Sequence, residues 1–299
     1  MTQSIKNVKH KFLYNYLFLL NTIYMKKLIY ITISILFITF FTLFFPCLQP
    51  SLAKAQNNEP MLAIIIDDFG SYDQSGVETM LSIDAPITCA IMPNVDNTTT
   101  NVEQAKKAGK EIIVHVPMEA SVNLPQSWYG PTYISYKDSK EDVYNKLNQA
   151  FTSVDGASGF NIHIGSGVCQ NLQIMNYVYD YAKEKNVFFV DSRTHLNTVC
   201  QQVAEQKNIV YLGRDEFLEP NGNRSYNGVK QHLLIGANLA KEKGFAIVIG
   251  HVGVHGGENT AKAIKDSVNE IKSMGVKIVP VSTLYKSINA LNDQKNSNT

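Results

Sequence analysis

The segment MLAIIIDDFG, residues 61–70, joins six apolar residues to two adjacent aspartates. An unbroken apolar run of this length predicts a strand that is buried on both faces, as in a parallel sheet covered by helices. Asp67 and Asp68 end that strand, where two like charges cost free energy unless something compensates them. A divalent cation bound by one carboxylate would compensate and leave the other as a base. The alternative is a loop in which one carboxylate caps the next helix.

The same pattern, an apolar run followed by polar residues and an amphipathic segment, recurs along the chain. Further strands are predicted at 87–91, 111–115, 159–163, 187–191, 209–212, 245–250 and 276–281. Helices are predicted at 98–108, 139–152, 170–185, 228–243 and 258–274. Eight such units in about 230 residues favour an α/β fold, a distorted (β/α) barrel of seven to eight parallel strands. The first strand is followed by neither a GxGxxG nor a GxxxxGK[ST] motif, which excludes the common nucleotide-binding sheets.

The charge of the chain divides near residue 55. The 299 residues carry 27 basic and 26 acidic side chains, but residues 1–55 hold six lysines and no acid. The remainder therefore has 21 basic and 26 acidic residues, a net charge of −5. This composition, without a basic and aromatic patch, excludes a protein that coats nucleic acid.

The first 55 residues predict export. Lys26 and Lys27 precede an apolar run of 18 residues at 28–45, and Ala53-Lys54-Ala55 follows. This order predicts a signal peptide cleaved after Ala55. A retained membrane anchor is the alternative, because 18 residues is the lower limit for a membrane span. Residues 1–24 lie upstream of a complete signal peptide, and we therefore expect that translation starts at Met25. We therefore expect an extracytoplasmic protein that contacts the membrane only through an uncleaved leader.

The exported part is expected to be one domain at 56–291 with a polar tail at 292–299. Cys47 lies in the leader, and Cys89, Cys169 and Cys200 follow without a CxxC spacing. Three cysteines without a CxxC spacing exclude a disulfide framework and a zinc site built from cysteine. Buried thiols are expected.

Polar residues recur at the C-terminal ends of the predicted strands, where barrels place their reactive side chains. His115 is either a metal ligand or a core histidine with its hydrogen bonds satisfied. Glu119 would bind the metal, hold the tautomer of His115 or accept from the backbone. Asn161 and His163 share one strand face. His163 is a ligand candidate, and Asn161 would hydrogen-bond the substrate or a ligand.

Three later segments add candidates. Ser166, between Gly165 and Gly167, either lets the backbone approach a ligand or caps a helix. Asp191 and Arg193 form a local salt bridge or orient a catalytic group or a sugar hydroxyl. His251, in apolar surroundings, suits a general acid near neutral pH, whereas His255 and the glycines after it read as loop.

Neither a GxSxG elbow nor a motif that would activate a cysteine is present. Water activated by a metal is therefore the favoured chemistry. A phosphoesterase is disfavoured, because no lysine or arginine is expected near Asp68.

Six segments in this order resemble the divergent polysaccharide deacetylases, relatives of the NodB-type carbohydrate esterases. They are IIIDDFG (64–70), HVPME (115–119), NIHIGS (161–166), FVDSRT (189–194), RDEFLE (214–219) and IGHVG (249–253). The resemblance covers roughly residues 60–286 and implies a NodB-like barrel that binds one divalent metal, usually zinc. It also implies removal of acetyl groups from N- or O-acetylated sugars.

The resemblance also implies roles for single residues. Asp67 resembles the general base, Asp68 the metal-binding aspartate and His251 the general acid. His115 opens a motif of two histidines, of which Glu119 replaces the second. His163 is the histidine typical of the divergent branch.

We therefore expect an exported deacetylase of envelope polysaccharide with Zn²⁺, or another divalent metal, held by Asp68, His115 and His163. The alternative is a catalytically silent envelope protein that binds glycan or a protein partner in the same cleft. The replacement at Glu119 favours this alternative, and the intact aspartate pair opposes it.

Overall fold

The computed structural model describes residues 59–297, together with Thr32. The leader features predicted from the sequence, namely the start at Met25, the signal peptide and the anchor, lie outside the described residues. Within residues 59–297, no helix has both the length and the apolar character needed to span a bilayer.

A single parallel sheet forms the centre of the described part. Its strands are β1 Met61–Phe69, β2 Thr88–Ile91, β3 Glu111–Met118, β4 Gly159–Ile164, β5 Phe188–Asp191, β6 Leu212–Gly213, β7 Glu216–Phe217, β8 Phe245–His251 and β9 Lys277–Ile278. Eight strands follow the order β6-β5-β4-β3-β2-β1-β8-β7, and β9 pairs with the start of β1. Among the described residues no pairing joins β6 to β7. The sheet is therefore a curled half-barrel, and the predicted distorted (β/α) barrel is confirmed.

Helices connect the strands. They are α1 Val77–Leu81, α2 Thr98–Lys107, α3 Lys140–Ser153, α4 Leu172–Lys185, α5 Cys200–Gln206, α6 Tyr226–Lys243, α7 Gly257–Ser273 and α8 Val281–Ser297. Local sequence sets several of their ends. Ser139 and Asp142 form a capping box at the start of α3. Gly244 ends α6 in a left-handed conformation that costs glycine little.

The core has two layers because β1 is buried on both faces. Leu62, Ile64 and Ile66 pack in the larger apolar cluster, which includes residues of α4, α6 and α7. Ala63 and Ile65 point the other way and join a smaller cluster that includes residues of α8. The reading of the first segment as a doubly buried strand is therefore confirmed.

Several boundaries differ from those predicted. The strand predicted at 276–281 is reduced to Lys277–Ile278, and Val281 already begins α8. Of the strand predicted at 209–212, only Leu212 is in a strand, and β7 was not predicted. Strands of two residues are too short to produce a periodic pattern. The polar tail predicted at 292–299 is helical as far as Ser297, and its exposed residues at 292–294 continue a helix whose earlier turns are packed. Cys89, Cys169 and Cys200 are buried free thiols, as expected.

Candidate active site

The carboxyl ends of β1, β3, β4 and β8 bring the predicted site residues together. Asp67 on β1 lies in register with His251 on β8. His115 on β3 lies in register with Asn161 on β4. Asp67, Asp68 and His115 are buried although they are ionisable, so their charges must be compensated within the protein.

Asp68, His115 and His163 form a compact group of potential metal ligands. Oδ1 of Asp68 is 3.4 Å from Nε2 of His115 and 3.2 Å from Nδ1 of His163. These two imidazole nitrogens are 3.0 Å apart. One ligand atom from each of the three residues lies within 4.8 Å of the others.

The outer nitrogens of both imidazoles face hydrogen-bond acceptors. Nδ1 of His115 is 2.7 Å from Oδ1 of Asn161, whose amide nitrogen donates to Asp67 at 2.7 Å. Nε2 of His163 is 3.0 Å from the carbonyl oxygen of Trp128. Each outer nitrogen can donate its N–H to the acceptor it faces, which would leave the inner nitrogen of that ring available to a bound ion. A set of one aspartate and two histidines suits Zn²⁺ or a similar divalent ion.

The two aspartates differ in pKa although they are neighbours. Burial raises the pKa of Asp67 above its usual value, and the opposing charges of His115 and His251 offset this only in part. Burial acts on Asp68 in the same direction, but hydrogen bonds from His115, His163 and His255 hold its pKa well below the usual range. Carboxylates whose pKa values are pushed apart are typical of a base and a permanently ionised ligand.

The backbone is strained where these side chains are presented. Asp68 has φ of 67° and Ile164 has φ of 60°, in the left-handed region. This conformation is rare for a β-branched residue such as Ile164. The β1–β2 pairing shifts register between Ile66 and Phe69, so the strand bulges at the two aspartates. Strain of this kind concentrates at functional sites.

His251 is paired with a buried glutamate that sequence reasoning missed. Oε2 of Glu219 is 3.2 Å from Nδ1 of His251, and Oε1 accepts from Thr260 at 2.6 Å. Burial alone would lower the pKa of His251. The hydrogen bond that His251 donates to Glu219 and the charges of Asp68, Glu219 and Asp67 outweigh burial and raise this pKa to about 9. Glu219 closes the RDEFLE segment, but no spacing links it to His251.

His255 lies in the loop after β8, as predicted, but it also belongs to the site, and the expectation that it is no site residue was wrong. Its Nδ1 is 2.8 Å from Oδ2 of Asp68. A single 3₁₀ turn, Gly253–His255, bends the chain back over the aspartate. The spacing of four residues between His251 and His255 is the signal that would have suggested a shared site.

Two candidates serve the loops around the site. Oε2 of Glu119 accepts from the backbone N–H of Tyr136 at 3.1 Å, which is the backbone alternative considered for this residue. Glu119 is not in the group of potential ligands. The hydroxyl of Ser166 accepts from the backbone N–H of Ser121 at 3.1 Å. Both side chains link neighbouring loops.

Asp191 is buried, and its carboxylate accepts hydrogen bonds from nearby residues. Its carboxylate accepts from the backbone N–H of Arg193 at 2.8 Å and from the hydroxyls of Thr198 and Tyr211 at 3.0 and 2.9 Å. Within the described residues the Asp191 and Arg193 side chains form no salt bridge, so that alternative is wrong. These contacts support a role for Asp191 in holding the loop after β5, whereas Arg193 lines the cleft.

The site opens into a cleft of about 590 Å³, within the range of small-molecule sites. Arg214 and Arg224 line it together with Arg193 and Asp68. The expectation that no arginine lies near Asp68 was therefore wrong. Arg214 and Arg224 are distant from Asp68 in sequence, and only the curl of the sheet brings them to the same cleft.

A sequence model of the divergent polysaccharide deacetylases matches residues 64–285. An uncharacterized protein of Haemophilus influenzae is 30% identical over 211 residues, which cover 71% of this chain and 72% of the relative. The protein YibQ of Escherichia coli is 27% identical over 232 residues, 78% of this chain and 67% of that protein. The crystal structure of an uncharacterized protein of Agrobacterium tumefaciens is similar with a TM-score of 0.68 and 17% identity, covering 77% of this chain and 91% of that one. The last likeness is one of fold.

Proposed function

The chain belongs to the divergent polysaccharide deacetylase family, and on this premise we propose that it is a metal-dependent hydrolase that deacetylates N- or O-acetylated sugars of an envelope polysaccharide. One observation carries the proposal. Potential ligand atoms of Asp68, His115 and His163 lie within 4.8 Å of one another, beside Asp67, a buried carboxylate with a raised pKa.

The residues of the chain have complementary acid and base properties. Asp67 suits a general base, because burial raises its pKa and Asn161 fixes its carboxylate by a hydrogen bond of 2.7 Å. His251 suits the general acid, because a pKa of about 9 keeps its ring protonated at neutral pH. It would donate this proton to the amine or alkoxide that leaves the acetyl group.

Asp68, His115 and His163 would hold the metal. When bound there, a divalent ion would supply a Lewis acid that polarises the acetyl carbonyl and lowers the pKa of a water molecule. An Asp-His-His set with three protein ligands keeps a position open, as catalytic zinc sites require. The identity of the ion as zinc is part of the proposal.

Export is part of the proposal as well. It is supported by the order of charged, apolar and small residues at 25–55 and by the net charge change at residue 55. An extracytoplasmic deacetylase would meet envelope polysaccharide as its substrate, and this substrate is proposed from the family together with the leader.

The alternative, a silent binding protein, rested on the replacement of a motif histidine by Glu119. His163 from β4 supplies a second imidazole to the ligand group, so this group does not need a histidine at position 119. The contacts of Glu119 with the Tyr136 backbone therefore do not favour the alternative.

Acetate release by the purified protein tests the proposal. We expect release from N-acetylated glycans or peptidoglycan fragments, loss of release with chelator, and a decrease of about 10²–10⁴-fold in kcat/KM for Asp67→Asn, the usual contribution of a general base. Asp96→Asn, an exposed aspartate away from the site, is the matched control. Tight glycan binding with metal bound but no acetate released across a wide glycan panel would decide for the silent binding protein.

A further inference from the structure

The arginines of this chain are confined to one cleft. The chain has three arginines, Arg193, Arg214 and Arg224, and all of them line the cleft that holds Asp68. The other 24 basic residues are lysines, and none of those described lines it. Lysine would supply the same charge, but only the planar guanidinium offers paired donors that match a carboxylate or a phosphate.

Arg193 and Arg214 are oriented by several contacts and form no ion pair among the described residues. Each donates to the backbone carbonyl of the other at 3.0 Å, and Arg214 donates also to the carbonyl of Ser192 at 2.8 Å. Their guanidinium carbons lie 5.5 and 5.0 Å from the ring centroids of Tyr211 and Phe217. Carbonyls and rings orient a guanidinium without forming an ion pair with it, and the charge of Asp191 acts on both arginines from beyond ion-pair distance. Two like charges are therefore fixed on one wall of the cleft.

The acids of the neighbourhood are engaged with other groups. In the cleft, Asp68 faces histidines and Glu219 faces His251 and Thr260. Beside Arg214, Asp215 pairs with Lys243 and Glu216 with His232, each at 2.9 Å. Among the described side chains, no carboxylate lies within the 4.0 Å of an ion pair with any of the three arginines.

Arg224 is the member with an unused guanidinium. It is exposed and lies shortly after the 3₁₀ turn Pro220–Gly222 that follows Glu219. Its backbone carbonyl accepts from Asn259 at 3.1 Å. Within residues 59–297 its side chain forms neither a hydrogen bond nor an ion pair, so its donors are available to a ligand.

We infer that the cleft selects acetylated glycans that carry an anionic group, a carboxylate or a phosphate, and that Arg224 binds this group. Arg193 and Arg214 provide the fixed positive wall beside it. Residues 56–299 carry a net charge of −5, so the attraction for anions is local to the cleft. The inference rests on the proposed function and adds the class of sugar on which it acts.

Binding without turnover tests the inference. The metal-loaded Asp67→Asn protein is titrated calorimetrically with N-acetylglucosamine, N-acetylmuramic acid and N-acetylglucosamine 6-phosphate. The three sugars share the acetyl group and differ in having no anion, a carboxylate or a phosphate. We expect at least one anionic sugar to bind about tenfold or more tighter than the neutral one, the effect of a charge-assisted hydrogen bond. The comparison of the two anions identifies the one that the cleft prefers.

Variants of Arg224 decide its role. Arg224→Gln should bring the Kd of the preferred anionic sugar close to that of the neutral sugar and leave the neutral sugar unchanged. Arg224→Lys should retain part of the preference, because it keeps the charge and loses the paired donors. Lys272→Gln, which removes one exposed charge from α7, is the control for net charge and should change neither Kd.

Three results would overturn the inference. They are equal Kd values for neutral and anionic sugars, no binding of either anion at millimolar concentration, and an anion preference that survives Arg224→Gln. The last result would place the anion on the metal, since carboxylates and phosphates also bind divalent ions. Acetate release is not measured in this experiment. A protein that binds anionic sugars through Arg224 but releases no acetate would contradict the proposed function alone.

Discussion

Asp67 and Asp68 carry the same functional group, and their contacts assign them different chemistry. Three histidines surround the carboxylate of Asp68, whereas Asp67 receives a hydrogen bond from the neutral amide of Asn161. The histidines stabilise the ionised form of Asp68, which suits a carboxylate that stays charged as a metal ligand. Burial with weaker stabilisation raises the pKa of Asp67, which suits a carboxylate that takes up a proton as a base. Sequence reasoning gave one aspartate to the metal and the other to catalysis, and only the family resemblance said which was which. The contacts in the structure supply a physical reason for the same assignment.

His255 is predicted to position Asp68. Because its Nδ1 donates to Oδ2, the other oxygen of Asp68 stays directed at His115 and His163. His255→Ala should weaken Zn²⁺ binding by about 10–100-fold, the usual effect of removing a hydrogen bond to a metal ligand. The dissociation constant is measured by competition with a chromophoric chelator.

Two comparisons separate positioning by His255 from direct metal binding and from a general effect. His255→Asn keeps an N–H donor near the position of Nδ1 and should recover most of the affinity. His195→Ala removes a histidine outside the ligand group and should have no effect. Loss of one imidazole from the zinc X-ray absorption spectrum of His255→Ala would show that His255 is itself a ligand, against this prediction.

Glu219 is predicted to set the alkaline limit of activity through His251. Its charge helps to raise the pKa of His251 to about 9, so acetate release should fall as the pH rises through that value. Glu219→Gln removes the charge and should move this limb of the kcat/KM profile down by about 1–3 pH units, the effect of losing a close opposite charge. The profile is measured from pH 5 to 10, and an unchanged alkaline limb would assign it to another group.

The same shift predicts the sign of the effect on stability. Because the pKa of His251 is higher in the folded protein than in the unfolded chain, its contribution to stability is fully present below about pH 6.5. The contribution is lost as the pH rises through about 9. Glu219→Gln should therefore lower the free energy of unfolding more at pH 6 than at pH 10.

At the scale of elements, the turn between β8 and α7 depends on close backbone packing. A Cβ at Gly256 would lie 2.1 Å from the carbonyl oxygen of His251, which is backbone and cannot move aside. Gly256→Ala should therefore displace the turn that carries His255, lower the free energy of unfolding by about 1–3 kcal/mol, as overpacking does, and weaken zinc binding. Urea unfolding and chelator competition measure the two effects.

Gly275→Ala is the matched comparison for Gly256→Ala. Gly275 has φ of 76° and open space around its missing Cβ, so alanine there adds only the cost of the left-handed conformation, about 1–2 kcal/mol. It should reduce stability and leave zinc binding unchanged. Equal loss of zinc affinity in both variants would mean that the β8–α7 turn has no special part in the site.

The elements predicted correctly are those whose burial produces a long run or repeat of apolar residues in the sequence. β1 is apolar over six consecutive residues because one of its faces packs in the cluster that includes α4, α6 and α7, and the other packs in the cluster that includes α8. β6 and β7 have two residues each and lie at the open edges of the sheet, so they leave no comparable pattern. Residues at strand ends, such as His115 and His163, could be predicted as site candidates. Glu219 could not, because a loop brings it in, and the only sequence signal for His255 is its spacing of four residues from His251.

At the scale of the molecule, the order of strands explains why the site residues are far apart in sequence. β1 lies between β2 and β8, so Asp67 near the start of the domain meets His251 near its end. The half-barrel is open between β6 and β7, and the arginines at 193, 214 and 224 lie on segments near this opening. The parallel direction of the strands was predictable from the sequence. The curl that brings these residues around one cleft is a property of the whole sheet.

The metal site is predicted to couple to the stability of the whole domain. The carboxylate of Asp68 faces the imidazoles of His115 and His163, and the charges of Asp67 and Asp68 raise the pKa of His115 despite its burial. A ligand that binds only the folded state at 100 times its Kd stabilises that state by about 2.7 kcal/mol. For a domain of this size we therefore expect Zn²⁺ to raise Tm by about 5–10 °C, reversibly with chelator. Asp68→Asn, which tolerates the left-handed backbone, should lose most of this shift, whereas Asp67→Asn should keep it. A Tm that responds to Zn²⁺ equally in both variants would place the ion elsewhere in the protein.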